Sequence, residues 1–145
     1  MTTAKQDEDI NRAIEYFRQR DEVSALYLFG SLVAGRQHEE SDLDLAVLVD
    51  ERKLKQVNYE ALKRAYYAAS AGFSLRIVDI VVLNVAPPYL KHQVLKTGKV
   101  LFDRNRRLRV RFTERAIMDY LDFKPVEEIC LRSVARRFRG KTVGR

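Results

Sequence analysis

The sequence predicts an α/β domain: a small mixed β-sheet of three or four strands flanked by helices, with a basic helical extension at the C-terminal end. Three observations carry this. Three short runs rich in β-branched and aromatic residues, Val23 to Phe29, Leu43 to Val49 and Leu75 to Leu83, have the length and composition of strands. The stretches around them place apolar residues at helical spacing. The chain has 145 residues, 46% of them hydrophobic, enough for one self-supporting core and too few for two ordinary domains.

Taken in order, Ile10, Ala13, Ile14 and Phe17 fall at i, i+3, i+4, i+7 behind the acidic start Asp7-Glu8-Asp9, which predicts an amphipathic helix over residues 8–20. The strand Val23 to Phe29 stops at Gly30-Ser31, a turn signal, and a stretch of small residues separates it from the strand Leu43 to Val49. Leu54, Val57, Ala61, Leu62, Ala65, Ala68 and Ala69 keep helical spacing until Gly72. After the third strand, Pro87-Pro88 opens a short helix through Tyr89, Leu90, Val94 and Leu95, closed at Thr97-Gly98, and Val100 to Phe102 suits a short strand. Leu108, Phe112, Ala116 and Tyr120 recur every four residues, a helical pattern longer than the competing six-residue alternation of Arg107, Arg109 and Arg111 with Leu108, Val110 and Phe112. Pro125 then separates a further helix carrying Val126, Cys130, Val134 and Phe138 on one stripe, with Gly140 as its cap and Cys130 read as a buried small hydrophobe.

Composition excludes several classes. The single cysteine forms no internal bridge, Met1 to Ile10 is polar where a secretory signal needs an apolar stretch, and the apolar runs are far short of the roughly 18 residues of a membrane span. A cytoplasmic protein with no membrane partner is expected. The net charge of +7 invites nucleic acid as a partner, but the charge is unevenly held. Residues 1–95 carry 12 basic and 14 acidic side chains, a net of −2, whereas residues 96–145 carry 15 and 6, a net of +9.

The chemistry concentrates in Leu28-Phe29-Gly30-Ser31, followed after ten residues by Asp42-Leu43-Asp44-Leu45. Successive strand residues alternate sides, so Asp42 and Asp44 share a face while Leu43 and Leu45 enter the core. Two unit charges about 4 Å apart repel by roughly 4 kcal/mol at an effective dielectric of about 20, a penalty that a divalent cation removes. Carboxylate oxygens at a strand end suit Mg²⁺, which keeps positions for water and substrate phosphates. Asp79, alone among the apolar residues of Ile77 to Leu83, also requires a cation or strong donors. If its strand lies beside Leu43 to Val49, it completes a three-carboxylate cluster able to hold two Mg²⁺ ions about 3.5 to 4 Å apart for in-line phosphoryl displacement. Gly30 lets backbone approach a phosphate, and the Ser31 hydroxyl and following amides can donate to a triphosphate. An Asp-x-Asp by itself is more often a solvated turn; the combination is what carries weight.

That combination, Gly-Ser-x10-Asp-x-Asp with a third acid in a later strand, resembles the signature of the DNA polymerase β-like nucleotidyltransferase superfamily. The context Leu-Phe-Gly-Ser-Leu-Val-Ala-Gly and Ser-Asp-Leu-Asp-Leu-Ala-Val-Leu is similar to its minimal nucleotidyltransferases, the MntA-type antitoxins of HEPN/MNT toxin–antitoxin systems. The resemblance covers residues 8–122. It implies the polymerase β-like fold over residues 1–103, with 104–145 a basic helical extension packed on or continuing the same domain. It also implies that Gly30 and Ser31 bind nucleotide phosphates, that Asp42, Asp44 and Asp79 ligate Mg²⁺, and that Asp79 helps activate the acceptor hydroxyl. The implied reaction is transfer of AMP from ATP to a tyrosine of a HEPN-family toxin. The loop departs from the usual Gly-Ser-x-Ala-Arg-Gly by reading Gly30-Ser31-Leu32-Val33-Ala34-Gly35. Arg36, one position later, either takes over the phosphate contact or leaves nucleotide binding weaker.

Two rival functions remain at this stage: an antitoxin that neutralises by binding alone, and a nucleotidyltransferase acting on a small molecule. The basic clusters Arg104, Arg106, Arg107, Arg109 and Arg111, and Arg132, Arg136, Arg137, Arg139, Lys141 and Arg145, fit a solvated face, an RNA phosphate contact, or a docking surface for an acidic partner. The resemblance favours the protein partner.

Overall fold

The computed structural model describes residues 4–30, 42–74 and 76–143. Helix α1 (Ala4–Arg18) buries Ile10, Ala13 and Phe17, the stripe its spacing dictates. Strands β1 (Val23–Phe29) and β2 (Leu43–Val49) occupy their predicted spans. Helix α2 (Tyr59–Ser70) begins where the Asn58 side chain accepts the Ala61 N–H, a cap that starts it later than the apolar spacing from Leu54 suggested. Strand β3 covers only Val78–Val82, because pairing with β2 begins at Val78 and Leu83–Val85 turns off as a 3-10 helix. The Asn84 side chain then stands in for a strand, accepting the Val49 N–H at 2.9 Å and donating to the Val49 carbonyl at 2.8 Å. Helix α3 (Pro88–Thr97), with proline in its first turn, leads at Gly98 into β4 (Lys99–Asp103).

The sheet order is β3-β2-β1-β4, with β1 antiparallel to both β2 and β4 and β2 parallel to β3. Each face has its own core. One packs Leu26, Leu28, Leu45, Val47 and Ile80 against Phe17 of α1 and Tyr66 of α2. The other packs Ala25, Tyr27, Ala46 and Leu48 against Val94 of α3 and the partly buried Leu108 and Phe112. The helical reading of Leu108, Val110 and Phe112 therefore holds, and two of the three are packing residues.

The C-terminal region corrects the expectation of two helices. A single 38-residue helix, α4 (Arg106–Val143), runs through Pro125 and Gly140. Proline removes one ladder hydrogen bond and crowds the carbonyl four residues back; Pro125 and Leu121, whose carbonyl loses that donor, are both exposed, so the freed carbonyl can be hydrated. Cys130 is likewise exposed rather than buried, as are Val134 and Phe138 on the same stripe. Among the described residues no helix is long and apolar enough to cross a membrane.

Candidate active site

Strand alternation decides which side chains meet. Leu43, Leu45, Val47 and Val49 of β2 enter the core beneath α1 and α2, leaving Asp44 on the opposite face with Ala46 and Leu48. On β3, Val78, Ile80 and Val82 point to the first core and Asp79 to the second face with Val81. The parallel register sets Asp44 directly beside Asp79. The antiparallel register sets Phe29 beside Asp44, so Gly30 follows at the same sheet end. Asp42 lies exposed, two residues before Asp44. Two distant segments thus deliver carboxylates to one strand end.

Gly30 is required twice over. Its φ of +77° lies in the left-handed region, and a Cβ there would overlap the Asp44 carboxylate, lying 2.9 Å from its carboxyl carbon. The sequence reading gave Gly30 a phosphate; the structure adds that its missing side chain is the space the Asp44 carboxylate occupies.

The electrostatics follow. The Asp44 carboxyl is pushed up from 3.8 to about 6, first by burial, then by repulsion from Asp79 and from Asp42. Among the described residues no three or more His, Cys, Asp or Glu side chains are gathered into a ready-made metal cage. The donors still fit a hard divalent cation. They are all carboxylates, they repel one another, and the raised Asp44 pKa marks a charge cost that a cation would relieve.

Tyr67 of α2 is the residue the sequence reading missed. β3 is the sheet edge, and the unpaired Ile80 N–H donates to the Tyr67 hydroxyl at 3.0 Å, which in turn donates to Asp79 Oδ1 at 2.8 Å. The hydroxyl thus closes the sheet edge and orients Asp79 at once. Burial foremost, together with the hydrogen bond to the Asp79 carboxylate, raises the Tyr67 pKa and keeps it a donor. No motif marks it: Tyr66 and Tyr67 are adjacent on α2, and only the fold sends Tyr66 to Glu22 in the core and Tyr67 to Asp79.

Ser31 and Arg36, the other expected phosphate contacts, lie outside the described residues. The first arginine cluster divides by role. Arg104 donates to the Arg18 and Asp21 carbonyls, and Arg109 bonds Asp103 at 2.5 Å, so both hold the fold together; Arg107 and Arg111 line a separate cavity.

The polymerase β nucleotidyltransferase family matches residues 11–107. Over 114 residues the chain is 30% identical to the protein adenylyltransferase MntA of Aphanizomenon flos-aquae, covering 75% of this chain and 76% of that one. It is 32% identical over 93 residues to the MntA of Shewanella oneidensis, covering 63% of each. A solved toxin–antitoxin structure with AMP-PNP superposes at a TM-score of 0.66 with 26% identity, over 92% of this chain and 99% of that one. The complex of a tri-AMPylated Shewanella oneidensis HEPN toxin with its MNT antitoxin gives 0.65 and 26%, over 90% and 98%. The register that sets Asp44 against Asp79 beside Gly30 is thus carried by a chain that belongs to the polymerase β-type nucleotidyltransferase family, in its MntA branch.

Proposed function

We propose that this chain is a Mg²⁺-dependent protein adenylyltransferase that serves as an antitoxin, moving AMP from ATP onto a tyrosine hydroxyl of a HEPN-family toxin. The single observation behind it is the juxtaposition of Asp44 and Asp79 next to a side-chain-free Gly30. The named relatives are protein adenylyltransferases, and similar solved structures hold AMP-PNP or a tri-AMPylated HEPN toxin, which supports ATP and such a toxin as the reactants.

In this reading Asp42, Asp44 and Asp79 hold the divalent ion, which when bound neutralises the triphosphate and assists departure of pyrophosphate. Gly30 and Ser31 bring backbone amides and a hydroxyl to the phosphates, and Arg36 supplies the loop's cation. The acceptor hydroxyl attacks the α-phosphorus, the bond to the β-phosphate oxygen breaks, and the hydroxyl proton passes to Asp79. Tyr67 holds that carboxylate in place. The exposed apolar residues of distal α4, including Ile129, Leu131, Val134 and Phe138, form the toxin-facing surface.

The test incubates the protein with its partner toxin, Mg²⁺ and ATP labelled on the α-phosphate. Label on the toxin that is lost with Asp42→Ala/Asp44→Ala is expected. Full neutralisation by that double variant, with no labelling by the wild type, would show an antitoxin acting by binding alone.

A further inference from the structure

A second site lies at the other end of β2. Leu48 is four residues from Asp44, about 13 Å along the strand at 3.3 Å per residue. Here α4, α3 and the turn after β2 border an open cavity of about 1100 Å³ whose walls include Arg107, Arg111 and Arg115 of α4, Lys91 of α3 and Arg52. Arg52 is engaged by Asp50, through hydrogen bonds of 3.0 and 3.1 Å. The three α4 arginines make no ion pair or side-chain hydrogen bond among the described residues, and the Lys91 ammonium lies 5.5 Å from the Phe112 ring centroid. Like charges at i, i+4 repel along a helix, so this ladder does not serve the fold.

The geometry points to a binding groove for the sugar–phosphate backbone of single-stranded RNA. The ladder steps by about 6 Å per arginine at 1.5 Å rise per residue, presenting a row of guanidinium forks of the kind that grip phosphate bidentately. The same groove carries Glu51 and Asp119. Glu51 already accepts from the Tyr59 hydroxyl, which leaves Asp119 to accept from a 2′-hydroxyl, a donor that RNA places beside its phosphates and that the side chains of an acidic peptide do not offer. Phe112 is partly buried in the second core beneath Lys91, so no aromatic platform is left for bases and recognition is independent of sequence.

Fluorescence anisotropy of the full chain with a labelled 12-nucleotide oligo-U RNA, the matching oligo-dT and a glutamate-rich 12-residue peptide tests this. RNA should bind most tightly, with log K falling against log salt at a slope of about −2 to −3, as three or four phosphate contacts require. Arg107→Gln/Arg111→Gln/Arg115→Gln should weaken RNA binding at least about tenfold and flatten the slope by about 2. Lys91→Gln, on another helix, should flatten it by about 0.7, and guards against misfolding of the triple variant. Binding should survive Asp42→Ala/Asp44→Ala, which separates this site from the adenylyl-transfer reading. Peptide binding as tight as RNA, an equal loss in Arg136→Gln/Arg137→Gln/Arg139→Gln, or displacement of RNA by ATP would each overturn the assignment.

Discussion

Asp44 is the residue on which stability and chemistry pull in opposite directions. Its carboxyl is raised from 3.8 to about 6, so the folded state prefers the protonated form. The fold therefore benefits from this group most below about pH 4 and loses that benefit as pH rises to about 6. Asp44→Asn should raise stability at pH 7.5 by about 1 kcal/mol, a figure discounted for solvent screening. The gain should vanish at pH 4 in thermal melts, and adenylyl transfer should be lost. The same sign predicts that Mg²⁺ raises the melting temperature at pH 7.5 and much less at pH 5, where protons compete for the carboxylate. Tyr67→Phe removes one donor to Asp79 and should lower divalent-ion affinity about tenfold, read by Mn²⁺ titration with electron paramagnetic resonance. Its melting temperature should fall as well, since the Ile80 N–H loses its acceptor; a lower melting temperature with unaltered affinity would reduce Tyr67 to a cover for the sheet edge. Gly30→Ala must adopt a positive φ and displace Asp44, so it should abolish transfer while leaving partner binding.

At the scale of elements, α4 does two jobs along its length. Its first turns are sheet packing: Asn105 accepts the Leu108 N–H, and Leu108, Phe112 and the buried Ala116 lie on the side facing the second core. Beyond Tyr120, whose ring stacks on His92 at 3.8 Å, large apolar side chains are exposed. A chain ending at Asp122 should keep its melting temperature within about 3 °C, since few buried contacts go, yet fail to bind the toxin in a pull-down. A chain ending at Asp103 should not fold, because Leu48, Leu83 and Val94 would lose their cover. Pro125 explains why the sequence divides this region. Proline in a helix interior loses one hydrogen bond and crowds the preceding turn, which commonly kinks or ends a helix, yet α4 continues through it.

Across the whole molecule, charge and topology are sorted by sheet end. The acidic end of β2 carries Asp42 and Asp44 beside Asp79, while the far end opens into the arginine-lined cavity. The uneven charge along the sequence therefore corresponds only partly to a division in space. The +9 of the last 50 residues includes Arg104 and Arg109, which are spent on Asp21, Asp103 and backbone carbonyls. Net charge counts side chains without knowing which of them already have partners.

The sequence by itself determined the strands, the amphipathic helices before Gly98, the turn at Gly30 and the pair Asp42 and Asp44, because these rest on period, turn chemistry and local spacing. It also singled out Asp79, since an acid in an apolar run needs a partner wherever it folds. Tertiary structure alone decided that Asp79 stands beside Asp44, that Gly30 leaves room for a carboxylate, and that Tyr67 rather than Tyr66 reaches the site. It also decided that Cys130 faces outward and that Arg109 is structural while Arg107 is not. Each of those depends on which element lies opposite, and the local pattern of a strand or helix shows which side is apolar without showing what, if anything, covers it.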